Sequence, residues 1–205
     1  MPIKWATDAN IMMKKQVVAL TGVQGSGKSS ICRALLEKRP DIVYVSASAE
    51  RKKIHRKIGG ANHNSQLGPE ETKKVSRLFI KKFYDEHEHK KETVLLDMRT
   101  VFLINSKKTN KGRIVSAYDL EDLMGIDKIV YLKIKPHIAK ERREKRGEND
   151  PKRQSVIKKE IGAEQKKTIE IATQNRIPLL ILEITKDAIE NLADRVERIE
   201  KFIFG

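Results

Sequence analysis

Gly22-Val-Gln-Gly-Ser-Gly-Lys-Ser29 fits G-x-x-x-x-G-K-[ST], a spacing that binds phosphate. Its glycines let successive backbone N–H groups face one centre, where they hold phosphate oxygens. The amides that open the following helix add donors and the positive end of the helix dipole. Lys28 reaches the β- and γ-phosphates, and the Ser29 hydroxyl completes a Mg²⁺ shell. The expected phosphate-binding set is Gly22, Gly25, Ser26, Gly27, Lys28, Ser29 and Ser30.

Chemistry on a bound phosphate also needs a second metal ligand and cations for the developing charge. Asp97 closes the run Thr93-Val94-Leu95-Leu96, and a carboxylate at such a strand end shares Mg²⁺ with the loop's serine. Arg142 and Arg146 are one helical turn apart and share a face, with Arg143 beside them. Arginine forks suit the charge spread over equatorial phosphoryl oxygens. Lys28, Arg142 and Arg146 are therefore the expected catalytic residues, with ATP and Mg²⁺ as cofactors. Ser46, Arg51 and Arg99 follow strand ends, near enough to the sheet's carboxyl edge to meet a second substrate. His87 and His89, two apart on a helix end, point different ways and are not expected to hold a metal.

The elements that must carry these residues alternate. Val17–Leu20 is a short apolar run of the buried parallel type, and Ile31, Ala34, Leu35 and Leu36 follow at helical spacing until Pro40. Strands are expected at 42–45, 93–97, 128–134 and 178–182. Helices are expected at 51–57, from Pro69 with a buried stripe of Val75, Leu78, Phe79 and Phe83, at 136–146, and at 154–175. A last helix, which Thr185 can cap, presents Ile189, Leu192, Val196, Ile199 and Ile203. Residues 98–116 read as an exposed loop or ribbon, and residues 1–14 as a loose leader. The alternation predicts a three-layer α/β/α domain of the P-loop NTPase type with a five-stranded parallel sheet.

At 205 residues and 39% hydrophobic content the chain suits one domain, and no run approaches a membrane span. A single cysteine, Cys32, allows no internal disulfide, and a cytoplasmic protein is the expectation. The net charge is +15, and residues 51–91 and 133–167 carry +7 each. Those helical inserts either close over phosphates or face a polyanion. Only 5% of residues are aromatic, which disfavours base-stacking platforms and hence a nucleic-acid partner.

The chain resembles the nucleoside-monophosphate kinases, most closely the archaeal-type adenylate kinases. The resemblance rests on Gly22–Ser29, on Gln66-Leu-Gly-Pro-Glu-Glu-Thr72 opening an acceptor-side helix, on Val94–Asp97, on Thr109-Asn-Lys-Gly112, and on Arg142–Asp150 followed by Ser155-Val-Ile157. It implies a single kinase domain over 15–205, with an acceptor-side segment at about 47–91 and a lid at about 137–153. It also implies γ-phosphoryl transfer from ATP–Mg²⁺ to a nucleoside monophosphate, AMP first, and leaves room for a homo-oligomer. The sequence departs from the family on the acceptor side: Ser65 stands where the family has arginine, and Arg113–Tyr118 replaces its Tyr-Leu-Pro-Gly-Leu-Pro stretch. The alternatives are a kinase of a nucleoside, a cofactor precursor or an RNA end, and an ATP-dependent RNA- or ribosome-associated factor.

Overall fold

Seven strands and six helices account for most of the computed structural model, which describes residues 16–58, 68–87, 92–105, 112–119, 121–123, 125–147, 153–185 and 192–205. In chain order they are β1 (Gln16–Thr21), α1 (Lys28–Lys38), β2 (Val43–Ser46), α2 (Ala47–Lys57), α3 (Pro69–His87), β3 (Thr93–Asp97), β4 (Val101–Asn105), β5 (Gly112–Ser116), β6 (Lys128–Ile134), α4 (Pro136–Lys145), α5 (Gln154–Gln174), β7 (Leu179–Ile184) and α6 (Leu192–Phe204).

Five strands form one parallel sheet in the order β2-β3-β1-β6-β7. Its central strand is an unbroken apolar run because both faces are covered. Val18 and Leu20 pack with Leu35 of α1 and Ile199 and Ile203 of α6, whereas Val17 and Ala19 pack with Phe79 and Phe83 of α3 and Ile171 of α5. Sheet alternation thus feeds two cores from one strand, giving the expected three-layer α/β/α architecture. Registers Leu20↔Asp97 and Ser46↔Asp97 bring the carboxyl ends of β1, β3 and β2 level.

Most elements match the expected runs, and the differences have local causes. α2 begins at Ala47 rather than Arg51, because the Ser46 hydroxyl accepts from the Ala49 amide as its N-cap. β7 starts at Leu179 and reaches Ile184, two residues past the expected end. Leu78 is exposed, and the buried row of α3 is Thr72, Val75, Ser76, Phe79, Ile80 and Phe83. That row follows strict i, i+3, i+4 spacing and admits two small hydroxyl residues that a purely apolar stripe overlooks. Residues 98–116 contain an antiparallel ribbon, β4 with β5, separate from the main sheet. The leader at 1–14, Ser65, His89, Thr109, Ile189 and the far end of the lid at 148–152 fall outside the described residues.

Candidate active site

The loop between β1 and α1 takes a conformation only glycine supplies at two points. Gly22 has φ +143°, and a Cβ there would lie 3.0 Å from the Leu132 carbonyl and 2.9 Å from Ser26 Oγ. Gly25 has φ +86°, and its Cβ would press to 3.2 Å on the carbonyl of Ala139 in α4. The fourth position of the motif is therefore glycine because a helix from the other end of the chain rests against it.

Lys28 opens α1 and folds back over this loop. Its Nζ donates to the Gly22 carbonyl at 2.6 Å and lies 3.9 Å from Asp97 Oδ1. Burial pushes the lysine below its ordinary range, with Arg99 adding to the depression and Asp97 opposing it. Tyr44, from the edge strand, donates to Asp97 Oδ2 at 3.2 Å. Ser29 and Ser30 are exposed in the first turn of α1, while Ser26 is buried with a hydroxyl that has no hydrogen-bond partner. A glycine-rich loop at a helix N-terminus, a buried orphan hydroxyl, a lysine and a carboxylate are what a nucleotide's phosphates with Mg²⁺ require. Among the described residues no cluster of three metal-ligating side chains exists. A lone carboxylate 3.9 Å from the loop's lysine suits Mg²⁺, which takes few protein ligands and several substrate or water oxygens.

The arginines of α4 grip the loop. Arg142 Nη1 donates to the Gly25 carbonyl at 3.1 Å, and Arg143 Nε to the Gln24 carbonyl at 3.0 Å. Arg146 is the exposed C-cap of α4 and makes neither contact. It still bears on the site electrostatically: burial lowers the pKa of Arg142 most, and the like charges of Arg195 and Arg146 lower it further. Arg195, a buried residue of α6, is a cation that sequence reasoning missed.

On the acceptor side Ser46 is engaged as a helix cap, but Arg51 and Arg99 come together. Their guanidinium carbons lie 4.0 and 5.4 Å from the centre of the Phe102 ring. Arg51 is fully buried, donates only to the Thr72 carbonyl at 3.3 Å, and has no hydrogen-bond partner for Nε or Nη1. Among the described residues no carboxylate pairs with it. Burial pushes its pKa down, the Tyr118 phenol opposes that, and Arg99 adds to it. Tyr118 itself is buried with an orphan hydroxyl, and burial pushes it up to about 12.

Two further residues escaped sequence reasoning. Glu164 of α5 accepts from the amides of Thr100 at 2.9 Å and Val101 at 3.0 Å, anchoring the chain just past Arg99. Glu160, one turn earlier, pairs with both Arg99 and Arg143. Both are buried. A signal existed: Ile157, Glu160, Ile161, Glu164, Thr168 and Ile171 form one row at helical spacing, so the acids sit in the apolar stripe.

A phosphate loop at the end of the central strand, under a five-stranded parallel sheet with flanking helices, defines a P-loop kinase-like fold. A family model described as an AAA domain matches residues 17–171, and the chain belongs to that family. Among solved structures it is similar to a shikimate kinase from Acinetobacter baumannii in complex with shikimate, at TM-score 0.57 and 14% identity, covering 96% of this chain and 97% of that one. No curated protein matches the chain. Among the described residues no helix is long and apolar enough to cross a membrane.

Proposed function

We propose that this chain is an ATP–Mg²⁺-dependent phosphotransferase whose acceptor carries an anionic group, with a nucleoside monophosphate, AMP first, as the adenylate kinase-like reading. The observation that carries the acceptor half is the buried Arg51 guanidinium, which has two nitrogens without hydrogen-bond partners and, among the described residues, no carboxylate pairing with it. Burying a lone guanidinium is costly unless an anion completes it, and a substrate phosphate is such an anion. The Tyr118 hydroxyl is likewise buried without a partner, and Arg99, held by Glu160, adds its charge. The neighbour whose structure holds shikimate supports a small-molecule acceptor in this fold.

On this reading residues 15–205 are one kinase domain, with acceptor side at 47–91 and lid at 137–153. The loop amides from Gly22 to Ser30 and Lys28 hold the donor's phosphates, and Ser29 with Asp97 hold the metal. Held there, Mg²⁺ would supply positive charge that offsets the charge of the donor's phosphates. Tyr44 fixes the Asp97 carboxylate in orientation. Arg142, with Arg146 and Arg195 nearby, meets the negative charge that builds on the transferred group and is stronger there for being out of water. A phosphate acceptor is already anionic, so no general base is required. A coupled ADP-release assay across AMP, CMP, UMP, GMP and the parent nucleosides tests the proposal. Activity confined to monophosphates supports it. Activity with nucleosides but not monophosphates removes the anionic-acceptor half and leaves the donor half standing.

A further inference from the structure

We propose that Glu160 is a positioning residue that ties the acceptor-side Arg99 to the phosphate loop. The inference rests on the donor reading of that loop and not on the identity of the acceptor. Glu160 is a buried carboxylate used twice: Oε1 takes Arg99 Nη2, and Oε2 lies 2.9 Å from Arg143 Nη2. Arg143 in turn gives its Nε to the Gln24 carbonyl of the loop at 3.0 Å.

The consequence follows from guanidinium geometry. Nε and Nη2 form one edge of the fork, the edge a carboxylate takes with two parallel hydrogen bonds when both its oxygens are free. Here Nε is given to the Gln24 carbonyl, while Nη2 faces Glu160 Oε2 as an ion pair. Arg99 holds the other carboxylate oxygen and with it the orientation of the carboxylate. Withdrawing Arg99 lets the carboxylate turn both oxygens onto the Nε–Nη2 edge, where it competes with the Gln24 carbonyl for Nε. The phosphate loop is thereby sensitive to a side chain on the acceptor side that does not itself hydrogen-bond the loop. Glu164 supports the arrangement by pinning the backbone after Arg99, so Arg99 reaches Glu160 from a fixed base.

A double-mutant cycle read in Mg·ADP affinity by calorimetry tests this. Arg99 also acts on Lys28 directly through its charge, so a single mutant is not enough: the direct effect persists without Glu160, whereas the relayed effect vanishes. Arg99→Ala is expected to weaken Mg·ADP binding in the wild-type background at least threefold more than in the Glu160→Gln background. If Glu160→Gln does not fold, Arg143→Lys breaks the same relay at its next link and takes its place in the cycle. Equal effects of Arg99→Ala in both backgrounds overturn the proposal while leaving the donor site intact. Failure of the wild-type protein to bind Mg·ADP at all overturns the donor reading, and the relay with it.

Discussion

Lys28 and Arg51 are both cations drawn out of water, Lys28 largely and Arg51 fully, and they differ in how far local sequence announces them. Lys28 was legible because the motif is contiguous: eight residues fix loop, lysine and serine together, and Asp97 was legible as the end of an apolar run. Arg51 was legible only by its place past a strand end: its burial against Phe102, carried by a distant ribbon, and against the Thr72 carbonyl has no local signal. Lys28→Ala is expected to weaken ATP binding tenfold or more, about 1.4 kcal/mol, with an unchanged circular dichroism spectrum. Full ATP affinity in that variant would remove the phosphate loop from the account. Because burial depresses Lys28, its charged form is disfavoured until phosphate arrives, and phosphate then raises the pKa again. Nucleotide binding at alkaline pH should therefore take up a proton, and Mg·ADP affinity should fall as pH rises through the depressed pKa of the free protein. Calorimetry in two buffers of different ionisation enthalpy reads the proton directly; an enthalpy independent of buffer at every pH up to the ordinary lysine range contradicts this. Asp97→Asn should shift the Mg²⁺ titration of activity to higher concentration, with partial rescue by excess Mg²⁺. A titration overlaying the wild type would make Asp97 an ordinary strand end.

Elements were legible where one period governs them and less so where tertiary contacts choose. The parallel strands are apolar runs, buried on both faces in β1 and β3 and half-exposed at the edges in β2 and β7. The β4–β5 ribbon pairs only with itself, so Val101–Asn105 and Gly112–Ser116 carry no such signal. The acids of α5 stand in its apolar stripe, but what each one faces, the Thr100 and Val101 amides for Glu164 and two arginines for Glu160, is set by tertiary contacts. Glu164→Ala leaves the buried amides of Thr100 and Val101 unpaired, at a cost of about 2–4 kcal/mol for the two. Urea denaturation should show the loss as a lower midpoint with little change in slope, and a midpoint within error of the wild type would contradict the anchoring role. Arg51→Met is the opposite case. Replacing a buried, unpaired cation by an apolar side chain of similar length should leave Tm unchanged or raise it, while acceptor turnover falls at least tenfold. A large drop in Tm with intact turnover would mean that Arg51 serves the core and not a ligand.

At the scale of the molecule, the +15 charge divides between two tasks. Part of it is drawn inward: Arg51, Arg143 and Arg195 are buried around the site. Others, including Lys52, Arg56 and Lys57 on α2, are exposed, and composition alone cannot distinguish the two. The fold class followed from strand–helix alternation, whereas the grip of α4 on the loop depends on contacts between residues more than a hundred positions apart. The exposed lysines keep an RNA partner as the competing reading, with affinity that would fall steeply with salt as counterions are released. The central claim is that this site moves a phosphoryl group between small anionic molecules. Its most direct test is transfer of labelled γ-phosphoryl from ATP–Mg²⁺ to a panel of mononucleotides at about 0.15 M salt, near physiological ionic strength, with RNA binding measured under the same conditions. The account predicts a labelled diphosphate product from at least one monophosphate, lost in Lys28→Ala, and weak RNA binding indifferent to sequence. Tight RNA binding with no labelled product from any mononucleotide or nucleoside would contradict it.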